Sequence, residues 1–222
     1  MNRLCQYFKT SVGKKQLIAL TGLGLSGFVL THMLGNLLLF CGAQTYNSYS
    51  HQLLSNPLIE PIELGLAGLF IVHMFLAFSI TRQNCLSRPI ASKAKGAGLK
   101  DARFGSQWMI LSGLVIGVFT GLHLWHFKYG THYTANYNGV EIRDLYRLVM
   151  ELLSQPLYLG WYLFAIAILG AHLSHGFSAV FQTFGFASVR AKWLLRLGYL
   201  FAAIISLGFM SQPILAYVRG GI

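Results

Sequence analysis

The chain has 222 residues, of which 55% are hydrophobic and only 10% charged, and its net charge is +11. A soluble domain carries roughly 25% charged residues, so a soluble globule is excluded and a single polytopic membrane bundle, all-α, is expected. The positive charge would suggest nucleic acid if it covered a soluble surface. Here the basic residues gather in loops between apolar runs, where they report topology and no nucleic-acid partner is implied.

Read as gaps between consecutive Asp, Glu, Lys or Arg, five charge-free runs cover 16–59, 64–81, 104–127, 152–189 and 197–218. Each is long enough for a helix across the hydrocarbon core, which takes about 20 residues. Arg3, Lys9, Lys14 and Lys15 precede span I, expected over 16–40. A basic flank before an apolar run resembles a signal peptide, but the run is too long for an h-region and no small-residue cleavage site closes it, so a retained anchor is expected. An outer connection with Pro57 and Pro61, and a short interfacial helix near 46–54, leads to span II at 62–82. The basic inner loop 83–103, with Pro89, Gly96 and Gly98, is expected to be irregular and to meet a soluble partner. Span III follows at 106–127, with Gly113, Gly117 and Gly121 at every fourth residue, a smooth stripe suited to close helix packing. In the outer loop 128–155, apolar Leu145, Leu148, Val149 and Leu152 recur at helical spacing, which predicts an interfacial helix lying over the bundle mouth. Spans IV and V are expected over 156–182 and 194–218.

Most of the seventeen basic residues lie before span I, between II and III, or between IV and V, accompanied by one acid, Asp101. The opposite side carries Lys128, Arg143, Arg147 and Arg219 against Glu60, Glu63, Glu141, Asp144 and Glu151. The positive-inside rule therefore places the N-terminus in the cytoplasm and the C-terminus outside. Cys5, Cys41 and Cys85 form no C-x-x-C or C-x-x-C-H pattern, which excludes the usual c-type haem attachment and a disulfide framework.

Four spans hold a histidine deep within them: His32, His73, His123 and His175. A polar ring in hydrocarbon is costly unless paired, so each marks a site. At 1.5 Å per residue, His32 lies ~24 Å and His123 ~26 Å from the cytoplasmic starts of spans I and III. Both fall in the outer half. His73 lies ~14 Å and His175 ~10 Å from the cytoplasmic ends of spans II and IV. Four helices thus supply two levels, I with III outside and II with IV inside. Two imidazoles at one level make a six-coordinate haem iron suited to electron transfer. His126 and His172 stand three residues from His123 and His175 on nearby helix faces, and depth alone leaves His172 open as the partner of His73. The glycine stripe of span III also fits a flat porphyrin against the backbone.

The histidines sit in a set of motifs that resembles the dihaem cytochrome b membrane subunit of succinate dehydrogenase and quinol:fumarate reductase. These are Ser11-Val-Gly-Lys-Lys15, the Thr21-Gly run leading to His32-Met-Leu-Gly-Asn36, Tyr46-Asn-Ser-Tyr-Ser-His51, and Pro61-Ile-Glu63. They continue with His73-Met-Phe-Leu-Ala77, His123-Leu-Trp-His-Phe127, Asp144-Leu-Tyr146, and His172-Leu-Ser-His-Gly-Phe177 with Ser178-Ala-Val-Phe-Gln-Thr-Phe-Gly185. The resemblance covers nearly the whole chain. It implies two b-type haems, with the first histidine of H-L-x-x-F, His123, and the histidine directly before Gly, His175, as the span III and IV ligands. His126 and His172 would then hydrogen-bond around the haems. It further implies a flavoprotein and an iron–sulfur subunit on the cytoplasmic face of a bacterial inner membrane, and a menaquinone-type quinone as membrane substrate. Acids that some dihaem relatives carry near span IV are missing here, since Leu173 precedes the Ser-His pair.

The function expected is membrane anchorage and electron relay within a succinate:quinone oxidoreductase, with no succinate chemistry in this chain. A cytochrome b of a hydrogenase or formate enzyme shares the dihaem logic and would differ in its partners. A haem-free transporter or anchor would need no histidine pairs, and the only acid beside a span is Glu63. Haem propionates near the inner membrane edge favour a cationic or hydrogen-bonding partner, which makes Arg82 and Ser106 candidates; Arg82 serves equally as an anchor snorkelling to headgroups. Quinone chemistry exchanges protons with electrons, and at the outer mouth the groups able to do so are His51, Glu63 and His126.

Overall fold

The computed structural model describes residues 3–86, 97–186 and 191–220, with side chains described for 6–86, 108–186 and 191–220. Five helices are long and apolar enough to cross a membrane, and the fold is that of an all-α, multi-pass membrane protein. A short helix, α1 (Arg3–Lys9), precedes the first of them, α2 (Ser11–Asn36). Thr10 caps α2 by accepting the Gly13 amide at 3.1 Å, so the turn between the helices is fixed by a side chain. The chain then continues through a 3₁₀ turn at Leu37–Cys41, α3 (Ala43–Leu54), α4 (Ile59–Leu86) and α5 (Ala97–Phe127). Strands β1 (Thr134–Tyr137) and β2 (Val140–Arg143), helix α6 (Leu145–Leu153), and helices α7 (Pro156–Thr183) and α8 (Lys192–Gly220) complete it.

The four helices that carry the buried histidines close into a ring: α2 packs on α4, α4 on α5, α5 on α7, and α7 back on α2. Helix α8 buttresses the ring from outside, against α7 above all and also against α2. That interface is close because glycine permits it. A Cβ on Gly198 would stand 2.9 Å from the Ser174 carbonyl oxygen of α7, too near for any real side chain. Ile205 of α8 is wholly buried there, with Met33, Leu173 and Ala202 around it. On the outside of the bundle Leu64, Ile71 and Phe75 of α4 expose 74%, 65% and 70% of their surface. Water would leave this apolar belt uncompensated, and hydrocarbon covers it at no cost.

A small polar cap covers the outer mouth. The expected interfacial helices are present as α3 and α6, and between α5 and α6 an antiparallel hairpin stands where only a loop was expected. It pairs Thr134 with Arg143 and Tyr137 with Val140 around an Asn138-Gly139 turn, whose φ angles of 55° and 85° are those of a two-residue primed turn. Asn47 of α3 holds the cap together and is fully buried. Its amide nitrogen donates to Asp144 Oδ1 at 2.7 Å and to the Tyr137 hydroxyl at 3.1 Å, and its carbonyl accepts the Tyr146 amide at 2.8 Å. Asp144 in turn caps α6 by accepting the Arg147 amide at 3.0 Å. One side chain thus satisfies three groups, from β1 and the start of α6, each of which would cost about 1–3 kcal/mol if buried without a partner.

The inner connection differs from expectation at both ends. Helix α4 runs to Leu86 and α5 begins at Ala97, so helical structure extends beyond the apolar cores of spans II and III into the basic segment. The stretch 87–96 lies outside the described residues.

Candidate functional site

At the outer level His32 of α2 faces His123 of α5, with ring centroids 5.8 Å apart and ring planes at 87°. A metal–imidazole bond of about 2.0 Å sets two trans ring centroids roughly 6 Å apart, so the pair stands at the separation that one shared iron requires. Aromatic rings line the surroundings. Phe28 stacks on His32 at 5.3 Å, Phe119 lies 5.7 Å from His123, and Phe209 of α8 lies 5.7 Å from His32. The Asn36 amide donates to the His32 carbonyl at 2.9 Å, and the Tyr46 hydroxyl donates to Asn36 Oδ1 at 2.9 Å, which ties the ligand's helix end to the cap. Burial pushes the Tyr46 hydroxyl above its ordinary range, with Tyr49 adding to the shift, so it remains a donor. His123 Nδ1 is buried and has no hydrogen-bond partner among the described residues. An orphaned ring nitrogen is what a site built for an acceptor or a metal leaves behind.

At the inner level His73 of α4 points into the ring of helices, where its Nδ1 meets Thr21 Oγ1 of α2 at 2.9 Å. His172 of α7 is placed in the same way, with Nδ1 2.9 Å from Ser112 Oγ of α5. His175, which the family motif made the inner ligand, is exposed on α7, and none of the described residues hydrogen-bonds its ring. His172, through its contact with Ser112, lies on the face of α7 toward α5. One helix position separates these outcomes: residues 172 and 175 differ by about 60° in facing and only ~4.5 Å in depth.

The other candidates scatter. His126 bonds through Nδ1 to the Tyr162 hydroxyl at 3.0 Å and meets Tyr158 edge-on, so it faces α7 and stands away from His32. Glu63 forms an ion pair with Lys128 across the outer ends of α4 and α5. His51 is exposed on α3, beside a shallow cleft of about 200 Å³ that Gln44, Tyr137 and Ile142 help to line. The three quinone candidates therefore engage three separate sets of neighbours. Arg82 is exposed near the inner end of α4, and the side chain of Ser106 lies outside the described residues.

Thr21 and Ser112 are not among the residues that sequence reasoning marks, although a signal for them exists there. Residues 21–32 and 112–123 both read hydroxyl-Gly-Leu, then Phe seven residues after the hydroxyl and His eleven after it: Thr21-Gly22-Leu23, Phe28, His32, and Ser112-Gly113-Leu114, Phe119, His123. Eleven residues make about three turns and rise ~16 Å. Each of α2 and α5 therefore presents, on one face, a histidine at the outer level and a hydroxyl at the inner level. The glycines seat the inner rings: a Cβ on Gly22 would lie 3.2 Å from His73 Cε1, and one on Gly113 3.7 Å from His172 Cε1.

No family model, curated protein or solved structure matches the chain.

Proposed function

We propose that this chain is the membrane-anchoring cytochrome b of a succinate dehydrogenase or fumarate reductase, passing electrons between a cytoplasmic iron–sulfur subunit and a membrane quinone. The observation that carries this reading is the His32–His123 pair, with ring centroids 5.8 Å apart, inside a closed ring of four helices on which His73 and His172 are each hydrogen-bonded to a hydroxyl of a neighbouring helix. His32 and His123 would hold an outer b haem, and His73 and His172 an inner one. A haem iron with two histidine ligands supplies one-electron transfer and leaves no open position for oxygen.

The rest of the work falls to the polypeptide. The aromatic rings of Phe28, Phe119 and Phe209 exclude water around the outer pair. Asn36 and Tyr46 hold the end of α2 in register with the cap. His126, hydrogen-bonded to Tyr162 one turn beyond His123, is placed to exchange a proton near the outer haem. The ion pair to Lys128 leaves Glu63 a structural tie between helices α4 and α5.

The chain itself holds no succinate chemistry, so the test uses the complex purified through a tag on this subunit. Succinate is expected to reduce the b haems of that complex, and a quinone to reoxidise them. Haems reduced by hydrogen or formate, and silent to succinate, would assign the subunit to another dehydrogenase.

A further inference from the structure

We infer that Lys14, Ser79 and Gln83 form an anion-receiving site between the inner ends of α2 and α4, and that this site takes a carboxylate from the edge of the inner haem. The inference rests on the haem reading above, with His73 alone setting the level, and adds to it a site for the charged side of that group.

Two neighbouring lysines open α2, and they are placed differently. Lys15 is exposed and free to reach headgroups, as a basic residue at the end of a span does. Lys14 is half-buried, and its ammonium donates to Ser79 Oγ of α4 at 2.8 Å. The cation is thus held between two helices, where a charge needs a partner. A hydroxyl leaves that charge uncompensated, and none of the described residues gives Lys14 a carboxylate. The ion pairs among them, Glu63 with Lys128 and Glu151 with Arg147, stand at the outer end. The helix adds to the excess. Lys14 lies in the first turn of α2, its amide donating to the Thr10 carbonyl at 3.0 Å, and that turn holds no acid to offset the positive end of the helix dipole.

Gln83 supplies a further group. It stands one turn beyond Ser79 on α4, and its Oε1 is buried with no hydrogen-bond partner among the described residues. A carboxamide turned over presents its NH2 from the same position, so an anion beside Ser79 would draw on both an ammonium and an amide. The level is set by the helices. Lys14 precedes Thr21 by two turns and so shares its face of α2, ~10 Å nearer the cytoplasm. Thr21 is the residue that meets His73 at 2.9 Å. Along α4 the same rise sets Ser79 ~9 Å from His73. Both helices therefore put the site at one depth, inward of the ring that would hold the iron and on the side where a porphyrin carboxylate would extend. A phospholipid phosphate shares this chemistry and reaches the same helix ends from the inner leaflet, so the test must tell the two apart.

Loss of a cation beside a haem favours the ferric, more positive state and lowers the midpoint potential. Lys14→Gln in the intact complex is expected to lower the potential of the inner haem, identified as the one lost in His73→Ala, and to leave the outer one in place. The expected size is roughly a tenfold change in the ferric-to-ferrous ratio at fixed potential, about 59 mV for a one-electron couple. Lys14→Arg keeps the charge, and Lys15→Gln removes an equal charge one residue away; both should retain the parent potential. Loss of the inner haem in Lys14→Gln with its retention in Lys14→Arg would equally support the site. Two haems with an unmoved inner potential in Lys14→Gln would overturn it, as would a Lys15→Gln protein that shifts as far. Phospholipid phosphate counted per complex separates the sources. Anionic lipid lost from Lys14→Gln while both potentials hold would assign the site to a lipid phosphate and overturn the haem assignment. Should Lys14→Gln fail to assemble, Gln83→Glu decides, since a carboxylate set there should lower the inner potential and an unmoved one contradicts the inference. A parent complex without haem brings down the reading of function itself, whereas two haems in the parent with an unmoved inner potential in the variant bring down this inference alone.

Discussion

Replacing His172 by Ala is expected to cost the protein one of its two haems, whereas His175→Ala should keep both. His172 is hydrogen-bonded to Ser112 of α5. His175 is exposed on the same helix, and none of the described residues hydrogen-bonds its ring. An axial ligand is held by a hydrogen bond behind it, and of the two only His172 has one among the described residues. Removing one ligand of a bis-histidine pair strips the iron of half its protein bonds, so near-complete loss of the inner haem is expected, with the outer spectrum unchanged. Haem extraction with an optical difference spectrum on each variant decides the matter. A His175→Ala protein with one haem, beside a His172→Ala protein with two, would restore the assignment that the family motif suggested.

The second large effect is expected at the outer level. His123→Ala should remove the outer haem and reduce succinate-driven quinone reduction to background, while succinate oxidation with a soluble dye acceptor continues. Electrons would still reach the inner level from the cytoplasmic side, and the lost step is the ~16 Å that separates the two levels along α2 and α5. The scaffold should survive, because the five apolar helices and the Asn47 network of the cap do not depend on His123. Dye-linked and quinone-linked rates, measured on one preparation, separate the relay from assembly. Parallel loss of both rates would mean that His123 serves assembly, and unimpaired quinone reduction would place the quinone at the inner level.

The spans were legible because a charge-free run of membrane length suits little besides a helix in lipid, and α3 and α6 because their amphipathic spacing was plain. The hairpin was also legible in principle. Asn138-Gly139 is the strongest short turn signal there is, but it sits in a loop whose charges and helical spacing dominate its pattern. The early start of α5 was hidden by Asp101 and Arg103, which mark the edge of the membrane and not the end of a helix. At the site, depth paired His32 with His123, whose rings stand 5.8 Å apart, but could not fix the rotation of α7. The rotation of α7 emerges only when Gly198 and Ile205 of α8 take one of its faces and Ser112 another. Thr21 and Ser112 were hidden for a related reason. A lone hydroxyl in a span is ordinary, and only its contact with a ring on another helix gives it a role.

Under the proposed function, four histidines on four helices would bind two haems at two levels. The most direct measurement is the haem content of the purified protein, per polypeptide, together with its reduced-minus-oxidised spectrum and low-temperature electron paramagnetic resonance. The expected result is two b-type haems per chain, both low-spin with two histidine ligands and distinguishable by midpoint potential. A chain that carries no haem after expression with ample haem supply, or one whose haem is high-spin with a single histidine ligand, would contradict it.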